Sequence, residues 1–449
     1  MNGKERIHRI LRKKKTDKIP WVPFAGVHAG KLIGASAREV LQDEEILLEA
    51  VLEANKLYKP DGQPVIFDLQ VEAEILGCEL KWAENSPPTV VNHPLADSDQ
   101  IPENIPARHE GRLPMIIRVM KTLKEEIGDQ TALYGLICGP FTLALHLRGT
   151  NLFMDMINNP EYTRELLQYT LLVSKRISRY YIESGMDDIA AVDPMVSQIS
   201  PAHFKEFLNE PYSDLFKYLR EQGVLSSFFV CGDASRNIEE MCLTEPDSIS
   251  VDENVDLATA KEITDRYQIV IGGNIPLTTV MLFGSQQDNM KWVLDLMDSL
   301  ENTDRLIIAP GCDMPYDVPV DNTLAVEQAV HQTEQVREIL ANYEKVEEDI
   351  DIELPDYEKL EKALIEVFTL DSETCAACTY MMAAAAEAKK HFADRIELVE
   401  YKYTSRENIA RVKKMGVKNL PSIYINGELA YASLVPNRSE LLKRIEKCL

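Results

Sequence analysis

Two apolar stretches, far apart in the chain, each end in a cysteine. "FFVCGDAS" reaches Cys231, and "IIAPGCDMP" reaches Cys312. Thiolates held two or three at a time are typical zinc ligands in a reducing compartment. A thiol entering the open position of such a zinc loses its proton and becomes a nucleophile, which suits alkyl transfer to sulfur. The spacing alone leaves a second interpretation open, in which both thiols are buried and inert.

The elements that would position these cysteines are short apolar runs that alternate with long amphipathic segments. Strands that alternate with helices favour parallel pairing, and eight of them predict a closed (β/α)8 TIM barrel of the α/β class. The eight runs begin at Val22, Pro64, Ala132, Asp188, Ser226, Ser248, Ile269 and Arg305.

Polar or thiol side chains follow these runs, at the strand ends where barrel enzymes gather their chemistry. We expect Asp193 and Asp252 to orient a substrate or ligand, with loop capping as the alternative. Asn274 follows Gly273, whose lack of a side chain allows close backbone approach, and it could contact a cofactor or cap a helix. The complete ring is His28, Asp68, Cys138, Asp193, Cys231, Asp252, Asn274 and Cys312.

Composition excludes some classes of partner. The chain has 449 residues and a formal net charge of -25, so nucleic acid is not an expected ligand. The basic N-terminus predicts an amphipathic helix and not a signal peptide, and no apolar run is long enough for a membrane span. Eight cysteines without a secretion signal indicate a reducing cytoplasm.

The chain length predicts two or three domains, and one boundary is visible. The run "EKVEEDIDIELPD" is strongly acidic and contains a proline, which is typical of a linker. We therefore predict a barrel over residues 1–342, an acidic linker over 343–360 and a small domain over 361–449.

The small domain reads β, α, β, α, β, β, α, with Cys375 and Cys378 at the start of its first helix. A helix N-terminus stabilises a thiolate, and the second cysteine, one turn on, can close a disulfide. The element order and "VKNLPSIYING" resemble thioredoxin and glutaredoxin. The resemblance implies that Pro421 is a cis-proline facing that disulfide and that the domain performs thiol–disulfide redox chemistry, or survives as a docking module.

The large segment resembles the uroporphyrinogen decarboxylase superfamily nearly end to end. The matching pieces are "DKIPWVPFAG", "GPFTLALHLRG", "DPMVSQISPAHFKEF", "VCGDAS", "SVDENVDL", "GGNIP" and "GCDMP". Within it, the segment is most similar to the methylcobamide:thiol methyltransferases, whose best-known member methylates coenzyme M. The resemblance implies zinc ligands at Cys231 and Cys312, and a methylcobamide presented by a partner corrinoid protein.

One departure from the family pattern affects this zinc site. The position that holds a histidine ligand in the family is Phe229 here. We expect Cys138 to complete the site as the third ligand, with His28, Asp68, Glu72 and Asp193 as alternatives. The carboxylates Asp68, Asp193 and Asp252 are the expected catalytic groups, and His28, Gly273 and Asn274 the expected corrinoid contacts.

The resemblance thus predicts a cytoplasmic methyltransferase of one-carbon metabolism. It would move a methyl group from a methylcobamide to a small-molecule thiol or similar acceptor, while the small domain exchanges disulfides. Coenzyme M, homocysteine and a pterin remain open as acceptors, and so does a homodimer. The alternatives are a corrinoid-binding, redox-delivery protein without transferase activity and a uroporphyrinogen-type decarboxylase. The latter fits less well, because "WVPFAGVHAG" lacks the arginines of the decarboxylase motif.

Overall fold

The computed structural model describes residues 1–344, 350–373 and 376–449, with no description of the Ala376 side chain. The chain forms two compact units. One comprises Met1–Val196 and Ser200–Tyr343, and the other comprises Ser197–Ile199 and Glu344–Leu449. In the ranges that the structure describes, no helix is long and apolar enough to cross a membrane.

The first unit is built on a seven-stranded parallel sheet of order β1-β4-β5-β6-β7-β8-β9, with helices between the strands. A small antiparallel pair, β2 and β3, lies apart from it. The strands are β1 (Gly62–Pro64), β2 (Leu80–Lys81), β3 (Thr89–Val90), β4 (Ala132–Cys138), β5 (Asp188–Val192), β6 (Leu225–Val230), β7 (Ser248–Val251), β8 (Val270–Ile275) and β9 (Leu306–Pro310).

Helices connect successive strands of the parallel sheet, as parallel pairing requires, and further helices precede β1 and follow β9. They are α1 (Gly3–Leu11), α2 (His28–Ile33), α3 (Ala37–Gln42), α4 (Glu44–Tyr58), α5 (Val71–Ile75), α6 (Leu113–Glu126), α7 (Pro140–Arg148), α8 (Asn151–Asn158), α9 (Pro160–Glu183), α10 (Pro201–His203), α11 (Asn209–Glu221), α12 (Ile238–Leu243), α13 (Leu257–Arg266), α14 (Gln286–Ser299), α15 (Val320–His331) and α16 (Thr333–Ile339). The predicted N-terminal helix therefore forms, and it ends at Leu11.

Register places the polar strand ends at one edge. Cys138 pairs with Val192, and Val192 pairs with Phe229. On the other side of the sheet, Asn274 pairs with Ala309. We call this edge, formed by the residues that follow β4 to β9, the carboxyl edge.

The run that begins at Val22 was expected to be an eighth strand, and this prediction is wrong. Trp21 alone forms a parallel bridge, with Ile308 of β9. The Trp21 carbonyl also accepts the N–H of Asp61, so this segment contacts both edge strands of the sheet. Pro20 and Pro23 flank it, and proline cannot donate to a strand ladder. The first strand proper, β1, ends at Pro64, where the predicted run begins.

Asp61 fixes the segments that meet at the opposite, amino edge. Its carboxylate accepts the backbone N–H of Trp21 at 2.8 Å and hydrogen bonds from Arg6 of α1. His331 of α15 lies 3.3 Å from the same carboxylate and 3.1 Å from Glu327. Burial lowers the pKa of His331, but these two carboxylates prevail and raise it to about 9. The last long helix is thus tied to the sheet by a charged histidine.

The second unit contains a four-stranded mixed sheet of order β11-β10-β12-β13. β10 pairs in parallel with β11 and antiparallel with β12, which pairs antiparallel with β13. The element order is the predicted one. Its members are β10 (Ala363–Thr369), α17 (Ala376–Phe392), β11 (Ile396–Lys402), α18 (Arg406–Met415), β12 (Ser422–Ile425), β13 (Glu428–Ala432) and α19 (Arg438–Glu446).

We predict that His331→Gln destabilises the first unit in a pH-dependent way. A histidine with a raised folded pKa stabilises fully below its unfolded pKa, and this contribution is lost as pH rises through about 9. The expected loss is on the order of 1 kcal/mol at pH 6, and it should shrink at pH 9.5. Urea unfolding followed by tryptophan fluorescence measures it, since Trp21, Trp82 and Trp292 all precede residue 344.

The matched control is His109→Gln, because His109 is exposed. This variant should match the parent protein at both pH values. A loss for His331→Gln that is equally large at pH 6 and pH 9.5 would contradict the charged contact.

Candidate active site at the carboxyl edge

The two cysteines singled out by the sequence meet at the carboxyl edge, where they form a disulfide. Cys231 directly follows β6 and Cys312 lies two residues after β9, and their Cα atoms are 5.9 Å apart. Both side chains are partly buried. Gly232 adopts φ +93°, a conformation that favours glycine, which allows the chain to turn immediately after the thiol.

Phe229 forms an apolar floor beneath this disulfide. It lies two residues before Cys231, so both side chains belong to the same face of the β6 segment. Its ring centroid lies 4.8 Å from that of Phe24 and 5.9 Å from that of Phe67. Cys231 and Cys312 pack against the core cluster that contains these three rings. The position therefore supplies packing and no metal-ligating atom.

The predicted zinc site of Cys231, Cys312 and Cys138 does not form. Two of the thiols are bonded to each other, and Cys138 is fully buried at the end of β4. Burial, followed by the charges of Glu72 and Asp193, raises the pKa of Cys138 well above its usual value. Within the described ranges, no group of three or more His, Cys, Asp or Glu residues is placed to hold a metal ion. These residues do not fit a zinc ion.

Asp193 joins three elements at the carboxyl edge. Its carboxylate accepts the N–H of Phe141 at 2.9 Å and that of Thr142 at 3.0 Å, both at the start of α7. The hydroxyl groups of Thr142 and of Tyr212 on α11 donate to it as well. Burial nevertheless raises its pKa to about 6. Both carboxylate oxygens are thus engaged in structure, and the expected catalytic role remains a prediction.

Asp68 and Glu72 form a second acidic pair on the β1 side of this edge. Asp68 accepts hydrogen bonds from the Arg112 guanidinium at 2.5 Å and from the N–H of Gln70 at 2.8 Å. Glu72 accepts the N–H of Cys138 at 3.0 Å, and burial raises its pKa to about 8. Asp68 is therefore held as an ion-paired carboxylate, whereas Glu72 carries a proton at neutral pH.

The loop after β7 uses the donors of Asn274 internally. The Asn274 amide donates to the carbonyls of Asp252 and Val255, at 2.9 and 2.8 Å. Burial raises the pKa of Asp252, although its carboxylate accepts N–H groups from Asn254 and Gly232. Gly273 has φ +136°, and a Cβ there would lie 2.8 Å from the Val251 carbonyl oxygen. Both Asp252 and Asn274 are thus engaged in ordering this loop.

His28 is also satisfied within the fold. It is fully buried, with one ring nitrogen 3.0 Å from the Tyr316 carbonyl and the other 2.7 Å from the Tyr58 hydroxyl. Burial lowers its pKa to about 4, so the ring is neutral. Neither nitrogen remains for the corrinoid contact that the sequence suggests.

Two acidic residues at this edge were missed by the sequence analysis. Glu253 directly follows Asp252, and Asp313 directly follows Cys312, so adjacency to a predicted site residue was the available signal. Burial, with the Asp252 charge, raises the pKa of Glu253 to about 8. Burial raises the pKa of Asp313 well above its usual value. Its Oδ1 is buried and has no hydrogen-bond partner among the described residues. At neutral pH the Glu253 carboxyl is therefore mostly protonated.

The redox residues predicted in the second unit are only partly described. Cys378 is fully buried on α17, and its sulfur accepts the N–H of Leu370 at 3.3 Å. The Leu420–Pro421 peptide bond is cis. Cys375 lies outside the described residues, so the contact between this cysteine and Pro421 stays a prediction.

We predict that Asp193→Asn destabilises the first unit by on the order of 2 kcal/mol at pH 7, because the amide group turns a donor toward donors. The matched control is Asp188→Asn at the start of β5, the strand that Asp193 follows. Burial raises the pKa of Asp188 to about 8, so the folded state keeps it neutral at pH 7 while the unfolded state ionises it. This control should unfold at the same or a higher urea concentration. If Asp188→Asn unfolded at a lower urea concentration than Asp193→Asn, the structural role assigned to the Asp193 carboxylate would be contradicted.

The sequence of the chain is similar to those of known methyltransferases and decarboxylases. The chain is 28% identical to methylcobamide:CoM methyltransferase MtbA of Methanosarcina acetivorans, over 71% of its own length and 94% of the relative's. A Nostoc punctiforme uroporphyrinogen decarboxylase is 26% identical over 60% of this chain and 77% of the relative. Among solved structures, a methyltransferase from Methanosarcina mazei has the same fold, with a TM-score of 0.67 and 22% identity, covering 74% of this chain and 99% of that one. The model of the uroporphyrinogen decarboxylase (URO-D) family matches residues 2–333, and the chain belongs to this family.

Proposed function

We propose that the chain is a corrinoid-dependent methyltransferase that moves a methyl group from a methylcobamide to a small-molecule thiol. The observation that carries this proposal is the similarity to methylcobamide:CoM methyltransferases over almost their whole length. A corrinoid protein would deliver the methylcobamide as a substrate. The first unit would act as a (β/α)8 barrel with Trp21 in place of its eighth strand.

The carboxyl edge offers the features that such a transfer needs. The methylcobamide supplies an electrophilic methyl group, and the protein must supply a deprotonated thiol beside it. Glu253 is the best placed base, because its pKa of about 8 lies close to that of a thiol, and the ionised fraction that can take up the thiol proton grows as pH approaches 8. A Cβ at Gly311 would lie 2.9 Å from the Glu253 backbone nitrogen, which shows how closely this residue approaches the Cys312 loop. The apolar floor at Phe229 excludes water from below.

We predict that Glu253→Gln lowers kcat for thiol methylation about 100-fold, because glutamine cannot take up the proton of the acceptor thiol. The assay uses methylcobalamin with coenzyme M or homocysteine, and measures thioether formation by mass spectrometry. Glu301→Gln is the matched control, since Glu301 is exposed after α14. Full activity of Glu253→Gln would remove the base assignment but leave the methyl transfer itself in place.

A second candidate function is corrinoid handling without methyl transfer. Phe229 and the Cys231–Cys312 disulfide favour it, because neither supplies the metal-activated thiol that the family pattern implies. The same assay separates the two candidates. Binding of cobalamin without formation of a thioether from any thiol tested would support this second function. Decarboxylation is supported by the lower identity of 26% to the Nostoc punctiforme uroporphyrinogen decarboxylase, which covers a smaller share of the chain.

We propose a thioredoxin-like redox role for the second unit, which is bounded by the proposed linker at residues 343–360. Support comes from the strand order β11-β10-β12-β13 and from the Cys-x-x-Cys motif at the start of α17. A cysteine near a helix N-terminus is stabilised as a thiolate, and thiolates perform disulfide exchange. The unit would pass two electrons from one dithiol to another disulfide.

We predict that the full-length protein accelerates the reduction of insulin disulfides by dithiothreitol, and that Cys375→Ser returns the rate to background. The reason is that the attacking thiolate is lost. Cys448→Ser is the control, because Cys448 is exposed and lies outside the motif. Equal rates for the parent protein, Cys375→Ser and a reaction without protein would leave the second unit as a docking module.

A further inference from the structure

We propose that Cys231 and Cys312 form a reversible thiol–disulfide exchange site that a dithiol reduces, and that they are not ligands of a zinc ion. This inference goes beyond the proposed methyl transfer. Its test needs neither a methyl donor nor an acceptor, so either hypothesis can fail without the other.

The positions of Cys231 and Cys312 suit a disulfide. The Cα separation of 5.9 Å lies within the range of native disulfides, and the two loops belong to strands that are not neighbours in the sheet. A glycine next to each cysteine, Gly232 and Gly311, lets the loops approach. A Cβ at Gly311 would come within 2.9 Å of the Glu253 backbone nitrogen, so the Cys312 loop can lie against the loop after β7 only where a side chain is absent.

Cys231 and Cys312 are more accessible than the other cysteines of the first unit. Cys78, Cys138 and Cys242 are buried, and burial raises the pKa of each. Neutral buried thiols exchange slowly, because the thiolate is the reactive form. The Cys231 and Cys312 side chains are only partly buried. The disulfide is therefore accessible to an external dithiol, while the three buried thiols exchange with it slowly.

Phe229 occupies the position on β6 where a third zinc ligand would be needed. A third zinc ligand on β6 would have to occupy the place of Phe229, which shares a face with Cys231. The Phe229 ring is instead packed against Phe24 and Phe67. The nearby Asp252 carboxylate is engaged with the N–H groups of its own loop. The edge thus holds two sulfurs without the third donor that a catalytic zinc requires.

The exchange itself is balanced by one dithiol. A thiolate of the dithiol attacks one of the two sulfurs, which breaks the Cys231–Cys312 bond and forms a mixed disulfide. The second thiol of the dithiol then displaces the protein sulfur and becomes part of a new disulfide. Two electrons pass to the protein, and protons end on the two cysteine sulfurs. Reduction leaves two thiols at the carboxyl edge and removes the covalent link between the loops after β6 and β9.

The experiment uses the full-length protein equilibrated in buffers with different ratios of reduced to oxidised dithiothreitol. Acid quenching, alkylation and peptide mass spectrometry then give the state of each cysteine. We expect the Cys231 and Cys312 peptides to change together from a linked disulfide to two alkylated thiols. Cys78, Cys138 and Cys242 should stay as thiols throughout. Cys242→Ser is the matched control and should not alter the titration, whereas Cys312→Ser should leave Cys231 alkylated in every buffer.

Zinc content provides an independent readout. Reduced parent protein incubated with zinc and desalted should retain little metal, whereas Phe229→His should retain about one zinc per chain, because it adds an imidazole on the face of Cys231. One zinc per reduced parent chain that is lost in Cys312→Ser would overturn the proposal. So would Cys231 and Cys312 thiols that never link in the most oxidising buffer. These two outcomes use the parent protein and do not depend on the folding of Phe229→His.

Discussion

The buried carboxylate of Asp61 is the interaction on which the first unit depends. It binds the backbone of Trp21, the guanidinium of Arg6 and the ring of His331, which come from the first irregular segment, the first helix and the helix after the last strand. Removing one partner from such a buried charge costs more than the pair contributes, so these segments are held together. Once they are fixed at the amino edge, the opposite ends of the parallel strands are fixed too.

At the carboxyl edge the polar residues divide into two groups. Asp193, Asn274 and His28 have their hydrogen-bonding atoms paired within the fold, and they order the loops that surround the edge. The second group is reactive: the Cys231–Cys312 disulfide can be reduced, and burial raises the pKa of the Glu253 and Asp313 carboxyls. The residues that order the loops therefore differ from the residues that can react, as a rigid active site requires.

Of the eight strands that sequence periodicity predicted, seven form the sheet. Parallel pairing places strand ends together, which is why the sequence could also predict that Cys231 and Cys312 lie close to each other. Sequence periodicity could not predict that the segment at Trp21 forms a single bridge, since the flanking prolines act through missing donors and not through apolar pattern. Nor could it show that the donors of Asn274 and His28 are consumed internally, because hydrogen-bond partners distant in sequence leave no local signal. Glu253 was hidden for a simpler reason: its neighbour Asp252 occupied the expected position.

The charge state of the edge connects the absence of a fitting zinc site with the disulfide. Burial raises the pKa of Glu253 to about 8 and raises that of Asp313 well above its usual value, and a carboxyl that keeps its proton is a poor ligand for a zinc ion. The apolar floor at Phe229 further disfavours isolated thiolates, because a buried charge without a partner is costly. A covalent bond between the sulfurs removes both charges without a metal. The phenyl ring at the position of a family ligand therefore helps to create an apolar environment that favours the pairing of the two cysteines.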